Sequence, residues 1–526
     1  MLVEAGLLLL VIFFYFYYEV TKQYGFFKER GVPFSKPAFP FGSDCTWKAF
    51  TGQIPMTNVD SYASKEFPKE KLFGYFAFGQ PTFIVNDQEL AKLVLIKDFE
   101  YFPDRRIITS DVKITQAFML NLKGTEWKQV RSMMSGVFTS GKLKLMFKHI
   151  AKVGENFEEY ITQVVEKGQE VDMKVVGGLM TLDSIATSGF GIETNSFKEP
   201  DNLFRVMALT LVGAPGYVSK FNMLRLLLRV IFPKLASLLK IEFTNPKALH
   251  FFSEIVRKTY KQRIESGYRR NDIIDLIVDE LKASTSTKET KKEKVYESEF
   301  ERDAEINTSD IKGIQESRFD EETIMISNAI LFFFAGFETT SSGFAICTHQ
   351  LVMHPEVQEK VHAEIDDVIG ETDTITFDMV QNLKYMDCFI SECFRHQNFV
   401  TSLERCCVKD YRVPGTDITI PKGKFVKVVT TNMTFSDKNF KNPTEFDPDN
   451  FAPENKPNKF GLMIFGQGPR NCVGMRYALL TLKLALLYLL RKHRLVKGTK
   501  TNDKLEVDVT NFNVFKGGVF MKMESR

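Results

Sequence analysis

The stretch FGQGPRNCVG, residues 465–474, sets Gly466, Gly468, Pro469, Arg470 and Gly474 around one thiol, Cys472. It leads straight into MRYALLTLKLALLYLLRKH, residues 475–493, whose apolar residues recur at helical spacing. Gly466 and Gly468 permit turns that other residues resist, and Pro469 stiffens the loop. The pattern predicts Cys472 just ahead of a helix N-terminus. Free N–H groups and the positive dipole end there favour thiolate over thiol. Gly474 lets a flat partner approach the backbone closely, and Arg470 points a charge at the same partner. A thiol in this setting is either a packing element or a ligand.

The chain has 526 residues, enough for a large core, and length alone suggests about two or three domains. Its net charge of +3 leaves no nucleic-acid footprint. The seven cysteines, Cys45, Cys347, Cys388, Cys393, Cys406, Cys407 and Cys472, are few, odd in number and clustered late. They argue against a secreted disulfide framework and for a reducing, cytosol-facing compartment.

The chain begins MLVEAGLLLLVIFFYFYYEVTKQYGFFKERG. Residues 1–21 read as a membrane anchor near the length of a bilayer-crossing helix. Tyr15, Tyr17 and Tyr18 suit an interfacial belt, and Lys22, Lys28 and Arg30 place the bulk of the chain on the cytoplasmic side. A cleaved signal peptide would need a basic start and small residues before the cut, and neither is present. Residues 22–42, basic and carrying Pro33, Pro37 and Pro40, read as a stiff, extended linker, and 43–526 as the globular unit.

Residues 71–84 alternate like strands, and the pattern beyond Asp87 is mostly helical. Residues 202–241 hold no acid between Asp201 and Glu242, but do hold Arg205, Lys220, Arg225, Arg229, Lys234 and Lys240. That suits either a core helix pair with a basic rim or an interfacial contact with an anionic leaflet. Residues 283–317 are charged and nearly free of aliphatics, and read as a solvated connection. The final third alternates helices with short strands. No glycine-rich phosphate loop occurs, so the chain shows no nicotinamide or ATP site of its own.

A strongly apolar helix is expected from about 320 to 349, with Asp320, Glu321 and Glu322 in its first turn. Its centre, LFFFAGFETTSSGF, holds Gly336, which costs a helix roughly 1 kcal/mol against alanine. The hydroxyls of residues 339–342 can bond carbonyls one turn earlier and bend the axis. The centre is thus either a kinked core helix or a groove opened for a guest. Glu338 and Thr339 would bring an acid and an alcohol to such a groove, which suits proton delivery. Glu392 and Arg395 share a helix face among Phe389, Ile390 and Phe394 and read as a buried structural lock. Trp127 and Arg131, four apart, aim two donors the same way and suit a carboxylate, or form a stacked surface pair.

One thiolate without a second Cys or His nearby disfavours zinc, which takes four ligands. It suits a metal ligated mostly from elsewhere, as haem's is. Cys388, Cys393 and His396 lack a fourth partner at standard spacing and read as buried and inert. With Cys472 in its glycine loop, the chain resembles the cytochrome P-450 haem-thiolate monooxygenases. Phe465, Gly466, Gly468, Arg470, Cys472 and Gly474 match the FGxGxRxCxG loop. Residues 335–340, AGFETT, match the oxygen-groove motif, Glu392 and Arg395 the ExxR pair, and Trp127 and Arg131 the haem-propionate helix. The segment KDFEYFPDRR, residues 97–106, and the anchor with its proline-rich hinge are similar to the microsomal class, most of all to insect xenobiotic-metabolising members.

The resemblance implies one large, mainly α unit with small β-sheets, the P-450 fold, behind an N-terminal transmembrane helix. It implies haem b with Cys472 as axial thiolate and Phe465 shielding the sulfur. Trp127, Arg131, Arg405 (in LER, residues 403–405) and Arg470 form the propionate clamp, and Glu338 with Thr339 the proton relay. It places the substrate pocket at Phe118, Phe332, Phe333, Phe399, Thr401 and Phe515. One oxygen atom of O2 enters a lipophilic substrate, a xenobiotic by this reading, with NADPH electrons arriving through a membrane-bound reductase and cytochrome b5 as a possible second donor. Lys128, Lys142, Lys144 and Arg476 would line the docking face. The implied location is the endoplasmic reticulum membrane, catalytic domain cytoplasmic. A hydroxylase of an endogenous lipid or hormone is the alternative; a rearrangement enzyme and a non-catalytic membrane haem-binding protein are more distant ones. Two departures stand out. The run His396-Gln397-Asn398 lacks the prolines usual after ExxR, and Asn450 replaces an arginine many members use to complete the Glu–Arg network.

Overall fold

Helices dominate the computed structural model, which describes residues 2–77, 79–107, 110–214, 225, 228–229, 232–285, 317–455, 458–508 and 514–526. The principal ones are α1 (Leu2–Thr21), α2 (Gly124–Ser135), α3 (Ser140–Glu166), α4 (Met173–Ile185), α5 (Pro246–Ser266), α6 (Ile273–Thr285), α7 (Glu321–Met353), α8 (Pro355–Ile369), α9 (Lys384–His396) and α10 (Met475–Leu490).

Helix α7 is the axis, packed against α4, α5, α6, α9 and α10. Asp320 caps it by accepting the Thr323 N–H at 2.8 Å, and Pro355 stops it. It is long and apolar enough to cross a membrane, yet 78% of its most apolar window is buried inside the protein, so it is a core helix. Helix α7 keeps its helical assignment through Gly336 over 33 residues, and its centre borders a cavity. The hydroxyls do bond one turn back, Thr339 to Ala335 at 2.6 Å and Ser342 to Glu338 at 3.1 Å. A Cβ at Gly336 would make only ordinary contact, 3.4 Å from Ile185 of α4, and the residue faces the cavity.

The main sheet has the order β1 (Pro37–Ala38), β2 (Gly42–Ser43), β3 (Leu72–Ala77), β4 (Gln80–Val85), β9 (Phe425–Val429), β6 (Ser402–Cys406). Only β4 with β9 is parallel. In β6 the two-residue period buries Leu403 and Arg405 on one face. Strand β5 (Val171–Asp172) pairs with β11 (Phe520–Ser525), which pairs with β10 (His493–Val496), and β7 (Tyr411–Arg412) pairs with β8 (Thr419–Ile420).

Residues 22–42 do not form the free spacer expected of them. Phe27 is fully buried against Phe76 and Phe83, Phe34 bridges to Gly74, and β1 and β2 extend the main sheet. Apolar side chains between the prolines make burial more favourable than extension. Helix α1 exposes most of its apolar residues, with Phe16 touching Phe39 and Phe232. Most of 283–317 lies outside the described residues, as does Lys220. Arg229 is not a rim cation: it is 2% exposed and salt-bridged to Asp111 at 2.8 Å and Glu242 at 2.7 Å.

Candidate active site

A cavity of about 540 Å³ lies between the α7 centre and the loop that precedes α10. On one wall are Ala335, Gly336 and Thr339; on the other are Cys472, Val473 and Gly474. The loop is shaped by its own backbone, with the Cys472 N–H donating to the Phe465 carbonyl at 2.7 Å. Gly468 sits at φ +71°, and a Cβ there would come within 2.0 Å of the Leu95 carbonyl oxygen, so only glycine fits. At Gly474 a Cβ would meet nothing within 4 Å, which leaves space beside the thiol.

The Cys472 sulfur is open to the cavity but deep in the protein. Burial pushes its thiol up. The Gly474 N–H and the Arg131 and Arg105 charges act against that but do not overcome it. The helix end therefore does less for the thiolate in the bare chain than the sequence pattern predicts. Burial pushes Cys388 up to about 11 and Cys45 and Cys407 up to about 12. Among the described residues no group of His, Cys, Asp and Glu could hold a metal ion.

Trp127 and Arg131 of α2, Arg405 of β6 and Arg470 all line the cavity. They are joined by Arg105, which sequence reasoning quoted only within KDFEYFPDRR. Arg470 lies 3.8 Å over the Trp127 ring and donates to the carbonyls of Pro103 at 2.8 Å and Leu122 at 3.0 Å. Arg131 donates to the Asn471 carbonyl at 2.8 Å, and Arg105 to the Arg470 carbonyl at 2.6 Å. Arg405 reaches the Glu404 carbonyl at 2.9 Å, while its Nε has no acceptor. The nearest carboxylate to Arg470 is Asp104 at 3.5 Å. Burial, compounded by repulsion from neighbouring arginines, lowers Arg470 to about 8 and Arg131 to about 10 and pulls Arg405 down; burial alone lowers Arg105. Four crowded, buried guanidiniums so short of carboxylates require an anionic guest. A flat group with carboxylates at one edge and a face toward Cys472 meets every one of these demands, so the residues present fit a haem.

Glu338 does not share the cavity with Thr339. Adjacent helix residues point about 100° apart, and its carboxylate instead meets Lys174 Nζ of α4 at 2.9 Å. Sequence reasoning had no signal for that lysine.

Of the six pocket candidates, Phe332 and Phe399 line the cavity, with Met119, Leu120, Leu331 and Val400 beside them. Phe333, one step on along α7, points into an aromatic cluster with Phe190, Phe204 and Phe252. Phe118 packs on the core, Phe515 is buried in it, and the Thr401 hydroxyl donates to the Thr57 carbonyl. These four lie off the cavity lining.

Glu392 and Arg395 are both wholly buried and form a two-pronged pair at 2.6 and 2.7 Å. Arg395 also donates to the carbonyls of Thr434 at 3.1 Å and Glu445 at 2.9 Å. Asn450 completes the set where an arginine was expected, its amide donating to Glu392 at 3.1 Å. In the run without prolines, Asn398 takes up the turn: its side chain accepts the Val400 N–H at 2.8 Å and donates to Thr430 at 3.1 Å.

The cytochrome P-450 family description matches residues 45–513. Cytochrome P-450 6a9 of Drosophila melanogaster is 34% identical, covering 86% of this chain and 85% of the relative. Cytochrome P-450 9e2 of Blattella germanica is 33% identical over 96% and 95%. Lithocholate 6-beta-hydroxylase of Mesocricetus auratus is 30% identical over 92% and 90%.

Proposed function

Because this chain belongs to the cytochrome P-450 family of monooxygenases, we propose that it inserts one oxygen atom of O2 into lipophilic substrates, xenobiotics first among them, with NADPH electrons delivered by a reductase. The observation that carries the reading is the cluster of buried arginines facing an open Cys472 across a cavity whose far wall is apolar.

When bound, haem supplies the iron that activates O2. Cys472 would supply the protein's sulfur ligand to it, and Phe465, in edge contact with Phe394 at 5.9 Å, would keep water from that sulfur. Trp127, Arg131, Arg405 and Arg470, with Arg105 added, hold the carboxylates. Thr339 keeps a hydroxyl in the cavity, with its proton resting on the Ala335 carbonyl. Glu338 supplies protons from behind it. Phe332, Phe399, Leu120 and Leu331 exclude water and orient apolar substrate by shape rather than by hydrogen bonds.

The anchor and location belong to the same proposal: α1 crosses the endoplasmic reticulum membrane and the catalytic unit, residues 43–526, is cytoplasmic. Exposed Leu235, Leu238, Leu239 and Phe243, next to the Phe16–Phe232 contact, support a second interfacial contact there. For reductase and cytochrome b5 docking, Lys128, Lys144 and Arg476 remain the candidate face. Lys142 is held by Glu280 and Lys144 pairs with Asp378 at 3.5 Å, the latter with both side chains well exposed.

The test is reductase-supported turnover of a panel of lipophilic xenobiotics beside steroids and bile acids in membranes. Oxidation of the xenobiotics is expected. The likeness to a lithocholate hydroxylase favours the second reading, an endogenous-lipid hydroxylase, and selective oxidation of the sterol-like compounds would replace the first with it.

A further inference from the structure

We propose that Asn328 is a specificity-positioning residue for the reaction: from α7 it fixes where the 117–122 loop stands, and so sets the apolar wall that Met119 and Leu120 form with Leu331 and Phe332 and against which a substrate is oriented. The inference rests on the monooxygenase reading above and deepens it.

Ser327 and Asn328 are fully buried polar residues in an otherwise apolar stretch of α7, residues 324–334, and the oxygen chemistry makes no use of them. A buried amide is costly unless its hydrogen bonds are made. Here they are made, and chiefly to one loop. Asn328 Oδ1 accepts the Met119 N–H at 3.0 Å. Its Nδ2 donates to the Ile324 carbonyl at 2.8 Å and lies 3.5 Å from the Ala117 carbonyl. Ser327 Oγ adds a bond to the Ala117 carbonyl at 3.2 Å. The far end of the loop is held too, with the Leu122 carbonyl accepting from Arg470 at 3.0 Å. Between these two ties Met119 and Leu120 line the cavity, and Leu120 is 43% exposed. Leu331 and Phe332 follow Asn328 by three and four residues, so they share its helix face. Both line the cavity as well. One amide therefore couples the loop half of the apolar wall to the helix half. Removing it leaves the Met119 N–H buried and unpaired, so the loop must shift to find another acceptor. That shift moves Leu120 relative to Phe332.

The full-length protein with its reductase, given a lipophile that yields two or more hydroxylated products, tests this in three variants. Asn328→Leu keeps the volume and removes the bonds. Asn328→Asp keeps the shape, and its carboxyl, protonated by burial, still offers an acceptor and a donor. Phe333→Ala damages the core beside the cavity without touching the loop. Asn328→Leu is expected to shift the product ratio roughly 5-fold, the worth of one ordinary hydrogen bond. Asn328→Asp should keep the wild-type ratio, and Phe333→Ala should keep it while melting lower, a split that a merely structural asparagine would not give. Amide hydrogen exchange read by mass spectrometry needs no turnover. The peptide covering 117–122 should exchange several-fold faster in Asn328→Leu and at the wild-type rate in Asn328→Asp. An unchanged ratio or unchanged exchange in Asn328→Leu, or an equal shift of ratio in Asn328→Asp or Phe333→Ala, would overturn the proposal. If Asn328→Leu does not fold, Asn328→Ser, whose hydroxyl is set further back from Met119, takes its place. Wild-type protein lacking the thiolate carbon-monoxide band would instead sink the underlying reading.

Discussion

Arg470 stacks on Trp127 with 3.8 Å between its guanidinium carbon and the ring centroid, and this contact ties the cysteine loop to helix α2. The indole fixes the plane of a charge that has carbonyls at one end and the cavity at the other. Lysine could not keep that plane or that set of bonds. Arg470→Lys and Trp127→Ala are each expected to weaken haem retention about 10-fold, a loss of charge-assisted or cation–π contact worth ~1–2 kcal/mol. Haem content after extended dialysis checks it, and full retention in both variants would deny the clamp.

The Glu392–Arg395 pair predicts a stability effect. Glu392→Ala leaves Arg395 buried and unpaired, at a cost of about 3–5 kcal/mol. Asn450→Ala removes one bond to the same carboxylate and should cost about 1.5–3 kcal/mol. Urea unfolding of the three proteins should rank them wild type, Asn450→Ala, Glu392→Ala.

Neighbouring phenylalanines should behave differently. Phe333→Ala opens the aromatic cluster and is expected to cost about 3–5 kcal/mol. Phe399→Ala widens the cavity wall instead, so product ratios across a substrate panel should change more than the melting temperature does. The reverse pattern would mean that Phe333, and not Phe399, faces substrate.

Burial lowers five histidines, His149, His349, His362, His396 and His493, below their ordinary range. Between their folded values and about 6.5, the value in the unfolded chain, the unfolded state binds more protons. Stability then rises with pH across that window and falls as pH drops through it. The melting temperature should decline from pH 7 toward pH 5, and His362→Met should flatten part of that slope. A melting temperature that climbs on acidification would contradict this.

The glycine loop, the ExxR pair and the acidic start of α7 were legible from residues 465–474, 392–395 and 320–322, because each depends on partners close in sequence. What escaped depends on distance or phase. Lys174 lies 164 residues from Glu338, and no local pattern links them. Phe332 and Phe333 are chemically identical, and only the helix phase separates cavity from core. Arg105 sat within a quoted motif, yet its part in the cluster emerges only once Arg131 and Arg470 surround it.

The central claim is that Cys472 ligates haem in this cavity, and the reduced carbon-monoxide difference spectrum tests it most directly. Wild-type protein should give the red-shifted Soret band of a thiolate ligand. Cys472→Ser should lose that band while the protein remains folded by circular dichroism. A wild-type spectrum without the thiolate band, or one unchanged in Cys472→Ser, would contradict the account.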